Sequence, residues 1–169
     1  QPVALHLLGV VKHQLGNNSE ARELISKALA FKPDYLEAHN SLGLVFVGLY
    51  RLDEAITCYQ KALEIDPSFF EAHNNLGLAF QKKQKHKEAL ACYQKAIAIN
   101  PVYSNAYYNL GNMLWEQGGE HLEEAVVNYN KAVSINENFF EAHGNLGIAI
   151  RDQGKLDEAA ASFRKSLII

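Results

Sequence analysis

The residues of this chain that could do chemistry recur at a fixed spacing. His39 and His73 are 34 residues apart, and so are Cys58 and Cys92. Metal ligands must converge to about 2 Å from one ion, and side chains one repeat apart do not meet this requirement. We therefore predict no metal site and no cofactor.

The two cysteines are predicted to be free thiols. Equivalent helices of stacked repeats lie on the order of 10 Å apart, whereas a disulfide needs Cα atoms closer than about 7 Å. Cys58 and Cys92 therefore do not pair. Free thiols persist in reducing compartments, so the expected location of the protein is the cytoplasm.

Sequence motifs for catalysis are absent from the chain. It has no G-x-S-x-G nucleophile elbow, no G-x-x-x-x-G-K-[ST] phosphate loop, no G-x-G-x-x-G turn and no H-E-x-x-H zinc motif. We therefore predict no catalytic residues and expect that this chain is not an enzyme.

Asparagines recur beside another repeated pair of residues. Asn75, Asn109 and Asn145 each come directly before a Leu-Gly pair. The asparagine amide is both a donor and an acceptor, so a row of such groups could bind the main chain of an extended peptide whatever its sequence. The alternative is that these amides only solvate the surface or cap neighbouring helices.

The Leu-Gly pairs define an internal repeat. They are Leu8-Gly9, Leu42-Gly43, Leu76-Gly77, Leu110-Gly111 and Leu146-Gly147. A fixed period of about 34 residues is typical of a solenoid, in which each unit is one supersecondary element. We number positions within a repeat so that this glycine is position 8. The chain is then a single array, 1–169, with predicted repeats 2–35, 36–69, 70–103, 104–139 and 140–169; two extra residues lie near Gly119.

Within each repeat, apolar residues recur mostly every three or four positions, which predicts two amphipathic helices. Glycine at position 15, as in Gly16 and Gly154, suits the left-handed end of the first helix. Proline at position 32, as in Pro33 and Pro67, ends the second helix. The predicted fold class is therefore all-α, an α-solenoid of stacked antiparallel helix pairs.

Other positions repeat as regularly as the glycine. Position 20 is Ala21, Ala55, Ala89, Ala125 and Ala159, and position 24 is Ile25, Tyr59, Tyr93, Tyr129 and Phe163. This pattern resembles the tetratricopeptide repeat (TPR) family over nearly all 169 residues. The resemblance implies a right-handed superhelix whose first helices line a concave groove. In style, the asparagine row is similar to the TPR arm of O-linked N-acetylglucosamine transferases and their bacterial relatives.

The resemblance also implies which side chains face the groove, because positions 2, 5, 6, 9, 12 and 13 point inward in the family. The predicted peptide-binding residues are Asn40, Asn74, Asn75, Asn109, Asn112, Asn145, Leu44, Leu78, Tyr108, Trp115 and Ile148. Glutamates at position 2, including Glu37 and Glu71, favour a neutral to basic ligand. Lysine and arginine do not occur at position 5, 6 or 9 of any repeat, which argues against a clamp for acidic C-terminal peptides.

The predicted function is a non-catalytic scaffold that binds an extended peptide or protein segment in this groove. Two alternatives remain open. The chain could be the substrate-recruiting TPR arm of a larger glycosyltransferase-type enzyme, or a self-assembling structural module. Apolar residues at both termini indicate either a fragment of a longer chain or end-to-end self-association, since TPR arrays usually end in a polar capping helix.

Composition excludes two further classes of partner. The net charge is −3 and the isoelectric point about 6.2, whereas binding to nucleic acid or to anionic membranes requires a basic face. Apolar runs stay well below the roughly 20 residues of a membrane-spanning helix. We therefore expect no nucleic-acid partner and no membrane insertion.

Overall fold

A computed structural model describes residues 1–168 of the chain, so that Ile169, the last residue of the fifth predicted repeat, lies outside the described residues. The described part forms ten α-helices and contains no strand, which confirms the all-α prediction. The helices are α1 Pro2–Gln14, α2 Asn18–Phe31, α3 Leu36–Gly48, α4 Leu52–Ile65, α5 Phe70–Lys82, α6 His86–Ile99, α7 Ser104–Gln117, α8 Leu122–Ile135, α9 Phe140–Asp152 and α10 Leu156–Ile168.

The helices are arranged in two compact units. Unit 1 spans Gln1–Cys92, and unit 2 begins at Tyr93, within α6. In unit 1, α1 packs on α2 and α3 packs on α4, while α2 also contacts α3 and α4 contacts α5. In unit 2, α7 packs on α8 and α9 packs on α10, with α8 also contacting α9. That the chain is one uninterrupted array stays a prediction.

The helices end where the sequence predicts. Gly16 and Gly154, at position 15, have φ of +78° and +81°. Tyr50 and Gln84 occupy the same position with φ of +59° and +60°, which is a conformation that costs about 1 kcal/mol or more without glycine. The residue at position 15 therefore adopts a left-handed backbone conformation in each of these repeats, whatever its side chain.

The extra residues of the fourth repeat form a short turn. Gly118 ends α7 with φ of +64°, and Gly119–His121 form one turn of 3-10 helix before α8 begins. The insertion lengthens the connection between α7 and α8, and these two helices still pack on each other.

The side chain at position 4 ties each first helix to the turn before it. His39 Nε2 donates to the carbonyl oxygen of Pro33 at 2.7 Å, and His73 Nε2 donates to that of Pro67 at 3.0 Å. His143 Nε2 and the Tyr107 hydroxyl make the equivalent bonds, six residues back, at 3.1 and 3.3 Å. These histidines therefore stabilise the turns between repeats. In residues 1–168, no group of three or more histidine, cysteine or acidic side chains could hold a metal ion.

Both cysteines are free thiols in the structure, as predicted. Cys58 is buried in the core of unit 1, and Cys92 is half-buried. Burial raises the pKa of each thiol to about 11. Since the thiolate is the reactive form, both cysteines are expected to be slow nucleophiles near neutral pH.

The repeated glycine at position 8 faces the residue at position 24 of the second helix. A Cβ atom on Gly111 would lie 2.8 Å from Cδ1 of Tyr129, and one on Gly147 would lie 2.7 Å from Cε1 of Phe163. Gly43 is equally tight against the ring of Tyr59. Real side chains do not approach this closely, so the two helices of a repeat can pack at this distance only if position 8 has no side chain.

Gly111→Ala should therefore destabilise the protein by about 1–3 kcal/mol, because the added methyl overpacks a fixed ring. Tyr129 is fully buried and cannot move away. The measurement is the free energy of unfolding in urea, followed by circular dichroism.

Gly144→Ala is the matched control, since a Cβ on this glycine of α9 meets nothing within 4 Å. Alanine there should stabilise by up to about 1 kcal/mol through helix propensity alone. Equal effects of the two substitutions would contradict the contact with the ring.

Candidate binding surfaces on the first helices

The predicted binding residues lie on α3, α5, α7 and α9, which are first helices of their repeats. In unit 1, Asn40, Leu44, Asn75 and Leu78 are half-buried, whereas Asn74 is only 4% exposed and can offer little surface to a ligand. In unit 2, Tyr108, Asn109, Asn112, Asn145 and Ile148 are half-buried, and Trp115 is 38% exposed.

Side chains at position 5 pair with position 6 of the next repeat. In unit 1, a ring nitrogen of His6 lies 2.9 Å from the hydroxyl of Ser41, and Asn75 Nδ2 donates to Asn40 Oδ1 at 3.0 Å. In unit 2, Asn145 Nδ2 donates to the Tyr108 hydroxyl at 3.2 Å. These three contacts have the same register, so the polar side chains at positions 5 and 6 link neighbouring repeats.

This pairing bears on the asparagine row. Asn75 uses its amide within the protein, donating to Asn40 and accepting a long bond of 3.4 Å from Asn74. Its side chain therefore does not simply face solvent, and removing it would weaken the contact between repeats. The sequence signal for this role was present, because positions 5 and 6 are both polar in the second and third repeats.

Unit 2 contains a larger polar cluster around Asn112. Its Oδ1 atom accepts from the hydroxyl of Tyr129 at 2.7 Å and from Asn145 Nδ2 at 2.8 Å. Burial raises the pKa of Tyr129, which therefore stays a protonated donor. The ring of Tyr108 packs against Phe139 at 4.8 Å between centroids. Tyr108 is thus held by packing and by Asn145, and presents only part of its ring to a ligand.

The equivalent tyrosine of unit 1 lacks such a cluster. Tyr59 is fully buried, and its hydroxyl has no hydrogen-bond partner within residues 1–168. Position 9 is Leu44 in this repeat, whereas it is Asn112 beside Tyr129. The same buried phenol is therefore satisfied in one unit and unsatisfied in the other.

Trp115 is oriented by a residue of the next repeat. Its Nε1 atom donates to Asp152 Oδ2 at 3.0 Å, and Arg151 Nη2 donates to the other oxygen of the same carboxylate at 2.8 Å. The hydrogen bonds from Arg151 and from Trp115 lower the pKa of Asp152 below its ordinary value. Sequence reasoning identified Trp115 and missed Asp152, since nothing in the spacing shows which acceptor the indole reaches.

Apolar side chains at position 9 stay partly exposed next to these polar groups. Leu44 and Leu78 do so in unit 1, and Ile148 in unit 2. A cavity of about 20 Å³ lies between Trp115, Asn145 and Ile148. Each surface therefore combines apolar contact area with fixed hydrogen-bonding groups.

In unit 1, the carboxylates of Glu37 and Glu71 lie in the first turns of α3 and α5. Burial lowers the pKa of His6, and the nearby carboxylate of Glu37 partly opposes this shift. Glu71 is half-buried, and its Oε2 atom has no donor in the described part of the chain.

No helix of residues 1–168 is both long and apolar enough to cross a membrane.

Family models match most of the chain. A model described as "Tetratricopeptide repeat" matches residues 2–35 and 104–139, and a second model with that description matches 141–165. A model described as "TPR repeat" matches residues 51–84 and 82–118. Only residues 1, 36–50, 140 and 166–169 fall outside these matches. Curated protein sequences gave no match.

Solved structures with the same fold are numerous. A crystal structure of MamA is 32% identical, with a TM-score of 0.76, covering 94% of this chain and 92% of that one. TTC0263, a thermophilic TPR protein of Thermus thermophilus, is 21% identical with a TM-score of 0.85, covering 99% and 90%. The pilF protein of Pseudomonas aeruginosa is 23% identical with a TM-score of 0.85, covering 98% and 76%. The last two show similarity of fold alone.

Tyr59 and Tyr129, two of the buried tyrosines at position 24, allow a matched test of the cluster around Asn112. Tyr129→Phe should destabilise the protein by about 0.5–1.5 kcal/mol, because it removes a satisfied hydrogen bond. Tyr59→Phe should be neutral or stabilising, because it removes a buried hydroxyl that has no partner within residues 1–168. Urea unfolding of both variants measures the difference. A loss of the same size in Tyr59→Phe would show that its hydroxyl is satisfied after all.

Proposed function

Because the chain belongs to the tetratricopeptide repeat family, we propose that it is a non-catalytic scaffold that binds an extended segment of another protein on its first-helix surfaces. These surfaces are Asn40, Leu44, Asn75 and Leu78 in unit 1, and Tyr108, Asn112, Trp115, Asn145 and Ile148 in unit 2. Two free thiols of raised pKa suit a reducing compartment, so the cytoplasm is the proposed location.

One observation carries this proposal. On α3, the apolar residues at positions 7 and 10, Leu42 and Val45, are 8% and 0% exposed, because they pack into the core. Leu44 lies between them in sequence and stays half-exposed. On α9, Ile148 stays half-exposed beside the buried Leu146 and Ala149. Position 9 is apolar in both repeats, although its side chain is only partly buried in the core. Contact with a ligand would account for an apolar residue at this position.

The amides next to these residues keep hydrogen-bonding capacity for a peptide main chain. Within residues 1–168, no group accepts from Asn40 Nδ2, and no group donates to Asn145 Oδ1. A peptide carbonyl could accept from the first, and a peptide N–H could donate to the second. Hydrogen bonds to the main chain together with apolar contacts are the usual basis for recognition of extended segments.

Charge supports a neutral to basic segment. Glu37 and Glu71 lie in the first turns of α3 and α5, and the carboxylate of Glu37 acts on His6. Lysine, arginine or amide groups of a ligand would complement these carboxylates, whereas an acidic segment would be repelled.

The test uses random peptides of about 12 residues displayed on phage, which are long enough to span a unit when extended. Peptides selected on the protein should lose at least about tenfold in affinity for Leu44→Ala with Leu78→Ala, because apolar anchors dominate such interfaces. Thr57→Ala with Gln60→Ala is the control on exposed positions of α4. Unchanged affinity in the leucine variant, with unfolding midpoints preserved, would refute binding on this surface.

Self-association is a second candidate function, favoured by the exposed apolar face of α1. Within residues 1–168, Leu8 and Val11 are 46% and 48% exposed, although their equivalents in α3, Leu42 and Val45, are buried. In unit 1, Leu42 and Val45 share a buried cluster with Ala21 and Ile25 of α2, a second helix that contacts α3. The occupant we propose for α1 is therefore the second helix α10 of another copy, whose Leu167 is 83% exposed.

Side chains at positions 5 and 6 are compatible with a contact between α10 of one copy and α1 of another. Inside the units these positions form polar pairs, as in Asn40 with Asn75. A junction between α9–α10 of one copy and α1 of another would bring Gly144 at position 5 opposite Leu7 at position 6. Neither side chain has a polar group to satisfy, so the contact would leave no donor or acceptor unpaired.

The apparent mass of the protein should therefore rise with concentration in light scattering. Leu8→Glu with Val11→Glu should abolish the rise, because two buried charges would oppose the contact. Val127→Glu, at an exposed apolar residue of α8, should not. A wild-type protein that stays monomeric across the series would eliminate this candidate.

A further inference from the structure

Unit 2 holds a small cavity whose size restricts what can enter it. It is bounded by Trp115, Asn145 and Ile148 and has a volume of about 20 Å³. A single water needs about 10–15 Å³ measured in this way. The cavity is open to solvent on one side, and the space between its three walls has room for one group of the size of a water or a methyl.

Hydrogen bonds hold two of the walls in place. The indole of Trp115 donates to Asp152, and Arg151 holds that carboxylate in turn. Asn145 donates to both Asn112 Oδ1 and the Tyr108 hydroxyl. These hydrogen bonds orient the indole of Trp115 and the amide of Asn145, which sets the shape of the cavity while the bonds are made.

One acceptor on these walls remains available. Asn145 uses its donors on Tyr108 and Asn112, and no residue in the described part of the chain donates to its Oδ1 atom. Trp115 has no free side-chain donor, because its single indole N–H donates to Asp152. A group that enters the cavity should therefore be apolar and small, and should carry an N–H donor next to it.

We propose that this cavity is a specificity subsite that takes a residue no larger than alanine or serine from an extended segment. The Cβ of that residue fills the space between Trp115 and Ile148, and its main-chain N–H donates to Asn145 Oδ1. The inference rests on the proposed function, since it specifies the segment that the unit 2 surface accepts. Asp152 and Arg151 act as positioning residues, because they hold the indole wall without touching the ligand.

The experiment starts from a peptide selected on the wild-type protein from the phage-displayed library. Each residue of the peptide is replaced in turn by leucine, and affinity is measured by calorimetry. At one position that is alanine, serine or glycine, leucine should lower the affinity at least about tenfold, the effect expected for a side chain that a rigid pocket excludes. The chain has a single tryptophan, so the fluorescence of Trp115 should change when a tight peptide fills the cavity.

Ile148→Ala removes one wall and should restore binding of the leucine peptide to within about threefold of the alanine peptide. Leu44→Ala is the matched control, since it truncates the same repeat position in unit 1. It should leave the ratio between the alanine and leucine peptides unchanged. Circular dichroism melting of both variants establishes that they fold.

The outcomes separate this inference from the proposed function. If peptides bind and leucine is tolerated at every position, or if Ile148→Ala leaves the discrimination intact, the subsite is refuted while peptide binding stands. If the library yields no peptide that binds, the proposed function and the subsite are both refuted. Discrimination that is lost in Ile148→Ala and kept in Leu44→Ala supports the subsite.

Discussion

The contact between the glycine at position 8 and the residue at position 24 determines how the two helices of a repeat pack. Where the structure describes it, a Cβ on this glycine would collide with the facing side chain, as at Gly111 with Tyr129 and Gly147 with Phe163. Only a residue without a side chain allows the helices to approach to this distance. The approach buries the alanines at positions 20 and 27, such as Ala125 and Ala132, completely. Each first helix is thereby held at one rotation, in which Leu44 and Ile148 at position 9 stay partly exposed.

Once the helix pairs are set, polar side chains link one repeat to the next. Histidine or tyrosine at position 4 bonds to the preceding turn, as His39 does to Pro33. Positions 5 and 6 pair between repeats, as Asn40 does with Asn75. These bonds satisfy polar groups that packing would otherwise leave partly buried and unpaired, which would cost about 1–3 kcal/mol each. The asparagines thus have a structural role. A ligand can use only the amide donors and acceptors that this role leaves unpaired.

The proposed binding surface of unit 2 depends on two repeats at once. Trp115 belongs to α7, but its orientation comes from Asp152 of α9, while Asn145 of α9 is held by Tyr108 and Asn112 of α7. A single repeat would therefore not present this cavity. This dependence gives a physical reason why solenoid surfaces are properties of neighbouring repeats and not of isolated units.

The amino-acid sequence determined the local architecture. The period of the Leu-Gly pairs, the apolar spacing and the residues at positions 15 and 32 predicted ten helices and where they end, because helix geometry and capping depend on residues close together in the chain. The resemblance to the tetratricopeptide repeat family, and not the period, implied which side chains lie beside Leu44 on α3 and which lie beside Ile148 on α9. The period also predicted the free thiols of Cys58 and Cys92, since equivalent residues of stacked helices lie too far apart to bond.

Only the tertiary structure decided which polar atoms meet. Nothing in the spacing shows that Asn75 donates to Asn40, that the indole of Trp115 reaches Asp152, or that Tyr129 is satisfied while Tyr59 has no partner within residues 1–168. Such contacts join residues about one repeat or half a repeat apart, and a hydrogen bond requires its atoms within a few tenths of an ångström of about 3 Å. Rotamers and interhelical distance set that separation, and neither can be read from residue types and their period.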